Sequence, residues 1–297
     1  MEIGEKIRSL RQAKHMTQAE LAGDQITRNM LSLVENGSAL PSLPTVIYLS
    51  ERLGISAGML LAREDEEAVY RKLSEMPNIK HLFASGRYRL CRDICESLPD
   101  DQMDDELYLI LSKCNLELAK ESFFLGKLHN SVRQFDKACE YSRKTIYAGD
   151  SILASVSIYF DYMIRLSPTL SSEFGNDIYD GVCLHADSFC KYAMAIKAYD
   201  EGNYGMAFEC LKLMSNGEDE FTEHIMARRE MSLGDHASAK KRLKRLINGD
   251  LKCCVIMYDI FKDLEECCRL TDDYKGAYEY SVGKVDLLEH MLREDSL

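Results

Sequence analysis

The stretch Met16-Thr17-Gln18-Ala19-Glu20-Leu21-Ala22, followed by Ile26-Thr27-Arg28-Asn29-Met30-Leu31-Ser32-Leu33-Val34-Glu35-Asn36-Gly37, decides how this chain is read. Thr17 with Glu20 three residues later has the form of a capping box, so a short helix is expected to begin at Gln18. Leu21 and Ala22 give that helix a buried side. Thr27 caps the next helix in the same way, with Met30, Leu31, Leu33 and Val34 as its candidates for burial. Gly37 after Asn36 reads as a helix stop. Working outward, Glu2 to Lys14 alternates at helical spacing, with Ile3, Ile7 and Leu10 facing in and Lys6, Arg8, Arg11 and Lys14 facing out. Pro41 and Pro44 bracket a connection. Val46, Ile47, Leu49 and Leu53 form the apolar face of a fourth helix, and Ser56 caps a fifth carrying Met59, Leu60 and Leu61. Residues 1–63 therefore read as five short helices around one small core.

These residues resemble the repressor-type (Cro/repressor, XRE) helix-turn-helix in order and spacing. The matching positions are Thr17 to Ala22, Val34-Glu35-Asn36-Gly37, Pro41-Ser42-Leu43 and Leu53-Gly54-Ile55-Ser56. The connection Gly23-Asp24-Gln25-Ile26 is about one residue shorter than that pattern usually shows. The resemblance implies binding to duplex DNA. Thr27, Arg28, Asn29 and Ser32 fall on the face that enters the major groove, where Arg suits guanine and Asn suits adenine. Gln18 falls where such proteins touch phosphate or a base, and Arg11 and Asn36 where they grip phosphate. Leu33 stands at a base-reading position and is expected to touch a thymine methyl or to pack.

Composition bounds the rest. The formal net charge is −12, yet residues 1–63 hold seven Lys or Arg against six Asp or Glu. The acidity belongs to the remainder, which argues against a protein that coats nucleic acid indiscriminately. A few placed contacts, doubled in a homodimer, are expected instead. No apolar run suits a bilayer span, and the N-terminal helix is amphipathic and unlike a signal peptide. Eleven cysteines without an export signal point to a reducing, cytoplasmic setting. Cys91, Cys95, Cys139 and Cys210 fall at small or apolar helix positions. There is no C-x-x-C pair. Cys253-Cys254 and Cys267-Cys268 would lie roughly 21 Å apart on one helix, too far for one metal. No metal and no cofactor are expected. No phosphate loop, nucleophile elbow or His–carboxylate spacing suggests an enzyme.

Beyond residue 63 a pattern recurs: a polar turn, an aromatic, then a small residue three positions on. Gly86-Arg87-Tyr88 leads to Cys91, Arg133-Gln134-Phe135 to Ala138, Gly202-Asn203-Tyr204 to Ala207, Gly234-Asp235-His236 to Ala239, and Asp273-Tyr274 to Ala277. This resembles the tetratricopeptide repeat, a helical hairpin of about 34 residues. In that pattern the aromatic plugs the hairpin corner and the small residue lets two helices approach. A degenerate turn is expected near Leu170, an insertion around Pro99-Asp100-Asp101, an interruption at Pro77, and a closing hairpin from Leu251 to Arg269 and Asp273 to Leu292. The fold class is thus all-α: a five-helix repressor-type head (1–63), a linker or hinge (64–70) and a right-handed repeat stack (71–297).

The two-part order resembles the peptide-pheromone regulators of Gram-positive bacteria, the Rgg, PlcR and PrgX group. That resemblance implies a homodimeric transcription regulator whose repeats bind a short signalling peptide. The alternative is a repressor whose repeats serve only dimerisation or a protein partner. Placing each turn aromatic at the seventeenth repeat position assigns inward-facing residues: Phe123, Lys127 and Asn130, then Tyr192 and Tyr199, then His224 and Arg228, then Lys262, with Tyr159 and Tyr162 in the degenerate unit. Asn130 suits a peptide backbone and Arg228, Lys127 and Lys262 a carboxylate.

Overall fold

The computed structural model describes residues 2–63, 66–147, 149–170, 187–214, 219–249 and 253–293, and among them every regular element is helical. The chain divides into two compact units, Met1–Met103 and Asp104–Leu297.

In the first unit, α1 (Ile3–Ala13), α2 (Gln18–Ala22), α3 (Arg28–Glu35), α4 (Leu43–Leu53) and α5 (Ala57–Leu61) follow the expected order. Thr17, Thr27, Ser42 and Ser56 each accept a backbone N–H three residues on, and Glu20 returns the bond to Thr17. Ile7, Leu21, Ala22, Leu31, Val34, Val46, Leu49, Leu53 and Leu60 make the core. The short α2–α3 connection is made possible by Gly23, at φ +56° and ψ −136°. A Cβ there would collide with the Tyr48 hydroxyl, which donates to the Ala22 carbonyl.

Several assignments on this unit change. Lys6 is buried, its Nζ donating to the Ala62 carbonyl at the end of α5. Arg11 also turns inward. Met30, Leu33, Ile47 and Leu61 are exposed. The eight residues of α3 bury one narrow stripe, Leu31, Val34 and Glu35, so its other apolar side chains are left outside.

Residues 64 and 65 of the expected linker lie outside the described residues, and from Glu67 the chain is already helical in α6 (Glu67–Ala84). Pro77 does not interrupt it. The helix runs through, with Met76, Ile79 and Leu82 buried on one side; proline forfeits one backbone bond, which packing outweighs. α7 (Tyr88–Glu96) packs back on α6, and a 3-10 turn (Asp100–Gln102) occupies the expected insertion. This hairpin groups with the head, and the first compact unit ends at Met103.

The second unit contains α8 (Asp105–Phe124), α9 (Leu128–Ser142), α10 (Gly149–Leu166), α11 (Ser188–Asp200), α12 (Tyr204–Leu213), α13 (Glu220–Ser232), α14 (His236–Ile247), α15 (Cys254–Leu270) and α16 (Tyr274–Met291). α8 pairs with α9, α11 with α12, α13 with α14 and α15 with α16, while α10 packs between α9 and α11. One device makes the hairpins. Gly126, Gly202, Gly234 and Asp272 take positive φ and end the first helix. Asn203, Asp235 and Asp273 then cap the second. Ser131, Ala207 and Ala239 are fully buried where the helices meet.

This device corrects one register. The α8–α9 turn is Gly126-Lys127-Leu128 leading to Ser131; Phe135 and Ala138 lie inside α9. Leucine in the aromatic position hid it. Two of the turn aromatics, Tyr204 and Tyr274, are exposed and do not plug their corners, whereas Tyr88 packs against Phe83 of the preceding helix. α10 ends at Leu166 before the expected degenerate turn, and residues 171–186 lie outside the described residues.

Replacing Gly23 with Ala is expected to destabilise the protein by about 2 kcal/mol or more, since L side chains rarely take this backbone conformation and Tyr48 blocks the Cβ. Urea unfolding of wild type and variant measures it; equal midpoints would show the turn to be adaptable.

Candidate functional site

The head presents α3 by its N-terminal end. Thr27 is its N-cap, its hydroxyl accepting from the Met30 N–H at 3.1 Å. Arg28, Asn29 and Asn36 are exposed and Ser32 half-buried. With the half-exposed Leu33 they form one surface of cationic, amide, hydroxyl and apolar groups. Such a surface can donate to guanine, pair with adenine and touch a thymine methyl.

Behind it lies an anchor. Arg11 Nε donates to Glu35 Oε1 at 2.7 Å and Arg11 Nη2 to Glu35 Oε2 at 2.9 Å. Gln18 Nε2 donates to the same Oε2 at 2.9 Å, and Arg11 Nη1 to the Met16 carbonyl at 2.8 Å. One carboxylate thus ties α1, α2 and α3 together. Burial pushes the Glu35 carboxyl up, but the bonds from Arg11 and Gln18 outweigh it and hold the group below its ordinary value. Arg11 and Gln18 are therefore engaged inside the head. Sequence reasoning placed Arg11 outward because its periodicity matched a polar face, and gave Glu35 no role. Glu35 was legible only as an acid sharing a stripe with Leu31 and Val34.

In the second unit the residues expected to line a groove divide into two sets. Phe123, Tyr159, Tyr162, Tyr192, His224 and Arg228 come together, all buried. Lys127 and Asn130 do not join them, because the turn at Gly126 puts them at the start of α9; the Asn130 amide oxygen accepts from Arg133. With that register corrected, the α8 positions are Leu116, Lys120 and Phe123. Lys120 bridges Glu117 at 3.0 Å and Asp187, the cap of α11, at 3.1 Å. Tyr199 is half-buried, and Lys262 is exposed, 3.9 Å from Asp200.

The gathered residues form a polar chain across four helices. Tyr162 Oη donates to Asp259 Oδ2 at 2.5 Å, and Tyr192 Oη lies 3.2 Å from the same oxygen and 2.8 Å from His224 Nδ1. His224 Nε2 lies 2.9 Å from Asp263 Oδ2, which also accepts from Arg228 Nε. Arg228 Nη1 reaches Asp200 Oδ1 at 2.8 Å, and its Nη2 has no hydrogen-bond partner among the described residues. Burial would raise the Asp263 carboxyl, yet the Arg228 charge and the His224 bond hold it below the ordinary aspartate value. Burial and the charge of Asp259 push the Tyr162 hydroxyl up, so it stays a donor. The repeat register marks Lys262 on α15, which is exposed, while Asp259 and Asp263 are the buried polar residues of that helix.

Around this chain Phe123, Phe135, Tyr159, Phe189 and Tyr192 pack ring against ring, and α15 reaches back to α8. Among the described residues these side chains bury one another on the inner side of the repeats. Among the described residues no three His, Cys, Asp or Glu side chains group to hold a metal, and no helix is long and apolar enough to cross a membrane.

Glu35→Gln should destabilise the head most at neutral pH. A carboxyl held below its ordinary value of 4.5 stabilises the fold above that pH and loses this as pH falls through its folded value. Wild type should therefore approach the variant on acidification. Thermal melts of the two proteins from pH 7 downward test this, and a constant gap would contradict it.

Residues 4–66 match the family described as helix-turn-helix domain. A search of curated proteins found no match. Among solved structures the chain is similar to Bacillus thuringiensis PlcR in complex with the peptide PapR7 and DNA, at 14% identity and TM-score 0.25, covering 98% of this chain and 99% of that one. It is also similar to ComR from S. thermophilus in complex with DNA and its signalling peptide ComS, at 16% identity and TM-score 0.25, covering 96% and 99%. A third is a variant of the Streptococcus dysgalactiae SHP pheromone receptor Rgg2, at 13% identity and TM-score 0.21, covering 95% and 98%. Superpositions this loose add no weight to the residue-level geometry. The family match and the five capped helices agree on the same residues: 4–66 are a helix-turn-helix domain.

Proposed function

We propose that this protein is a sequence-specific, DNA-binding transcription regulator and not an enzyme. It acts as a cytoplasmic homodimer, and its repeat unit takes a short signalling peptide. The observation that supports DNA reading most directly is the exposed face of α3, capped by Thr27 and anchored from behind by Glu35. Arg28 and Asn29 stand at the end of the helix that meets base edges in this motif. Asn36 and Ser32 extend that surface, while Arg11 and Gln18 set its angle. Two heads would read half-sites about 34–36 Å apart or a multiple of that.

The peptide reading takes a particular form here. Tyr159, Tyr162, Tyr192, His224 and Arg228 are already packed together, so a peptide on the inner face must compete with the protein's own contacts. Binding then selects an opened form, and apparent affinity is reduced by the fraction of molecules open. A ligand of this kind shifts DNA binding by its differential affinity for the two forms, on the order of 1–3 kcal/mol. The same filled interior favours a second reading, in which the repeats only dimerise or hold a protein partner.

Arg28→Ala should weaken binding to duplexes selected from a random pool by about 1–3 kcal/mol and flatten preference at one position, with the melting temperature unchanged. Gel shifts at fixed salt check this; unchanged affinity and preference would remove Arg28 from the reading surface.

Tyr162→Phe removes a donor from buried Asp259 and should cost about 1–3 kcal/mol of stability. If an opened form binds peptide, the variant should bind short apolar synthetic peptides more tightly than wild type. Calorimetry showing no peptide binding by either protein would favour the dimerisation-only reading.

A further inference from the structure

Five cations fall within six residues of α14: Lys240, Lys241, Arg242, Lys244 and Arg245. They stand out in a chain whose acidic residues outnumber its basic ones. Two of the five are used internally. Lys240 bridges Asp273 at 2.8 Å, and Arg242 bridges Glu223 and Glu230, each at 2.7 Å. Lys241, Lys244 and Arg245 are exposed and make no ion pair among the described residues. Steps of three and four residues put them on one outward face. The negative end of the helix dipole amounts to about half a charge, which offsets one cation at most and not three.

The chemistry of this face suits phosphate. Its exposed neighbours are Ala237, Ser238 and Asn248, and no large apolar side chain of α14 is exposed. A protein interface is anchored by buried aromatic or aliphatic side chains and is poor in lysine. A helix lying on an anionic bilayer inserts an apolar face. α14 offers neither. Its three free cations occupy about 6 Å of helix length. Successive phosphates of one DNA strand lie about 3.4 Å apart along the duplex axis, so the run matches two or three of them.

The head is short of such contacts. Of its seven cations, Lys6 donates to the Ala62 carbonyl, Arg11 to Glu35 and Arg52 to the Glu20 carbonyl, and Arg63 pairs with Glu66. With Arg28 assigned to bases, the exposed Arg8 and Lys14 are left for phosphate. Two heads then supply four such contacts, against the roughly 6–10 of a strongly salt-dependent DNA reader.

We propose that the outer face of α14 holds the phosphate backbone of duplex DNA flanking the site that the head reads. It adds affinity and no sequence preference. The proposal rests on the DNA-binding reading above and extends it to the repeat unit.

Fluorescence anisotropy of the full chain over a salt series tests it with two duplexes. One is a site selected from a random pool; the other is the same site with about 20 random base pairs on each side, roughly two helical turns. Wild type should bind the flanked duplex more tightly and with the steeper salt dependence. On that duplex Lys244→Gln should lower the slope of log affinity against log salt by about one per bound chain, and the triple variant Lys241→Gln/Lys244→Gln/Arg245→Gln by about three. Affinity for the short duplex and base preference should stay unchanged. Lys275→Gln, which removes an exposed cation from α16, should leave the slope alone. Equal slopes for wild type and triple variant on the flanked duplex, or an equal loss from Lys275→Gln, would overturn the proposal while the short duplex still reports on the head. A chain that grips flanked and random duplexes alike through α14, yet prefers no sequence, would keep this surface and remove the regulator reading instead.

Discussion

The geometry of the head depends on one buried carboxylate. Glu35 sits at the end of α3 and receives Arg11 from α1 and Gln18 from α2. Removing one partner of such a pair leaves an uncompensated charge, at a cost of about 3–5 kcal/mol when burial is complete. Apolar contacts fix how closely three short helices approach but leave their rotation loose. Three directional bonds to one group set the rotation, and with it the outward aim of Arg28 and Asn29. Gly4 serves the same end, since any Cβ there would strike the Val34 carbonyl. α1 can thus lie close enough to α3 for Arg11 to reach Glu35.

The repeat unit solves a related problem with different parts. Its inner side combines a stack of aromatic rings with a chain of ionisable groups, Asp259, His224, Asp263, Arg228 and Asp200. Aromatic packing supplies most of the buried area. The polar chain links α10, α11, α13 and α15 at defined angles, because each carboxylate needs its donors and cannot slide past them. The peptide reading proposed above requires a second arrangement, opened around a guest. That is the requirement for a unit that responds to a ligand.

Much of this was legible in residues alone. The caps Thr17, Thr27 and Ser56 announced three helices, because a side-chain oxygen before an apolar run satisfies an orphan N–H wherever it occurs. The hairpin turns at Gly202, Gly234 and Asp273 were legible for a similar local reason. The turn at Gly126 was not, since Leu128 replaces the aromatic, and the error carried Lys127 and Asn130 onto the wrong helix. Lys6 and Arg11 were misplaced because periodicity sees polarity and not partners. A long cationic side chain can be drawn inward when a carbonyl or carboxylate from a distant helix awaits it.

The sequence by itself determined that this chain is helical, where most helices start and stop, and which face of α3 carries Arg28 and Asn29. Those features follow from capping, turn and periodicity rules acting over a few residues. Only the tertiary structure decided that Arg11 and Gln18 serve Glu35, that Asp259 and Asp263 join the inner chain, and that Phe123, Tyr159 and Tyr192 are buried together. Each of these depends on residues many positions apart meeting in space. Local rules fix what a helix is, but not what it meets.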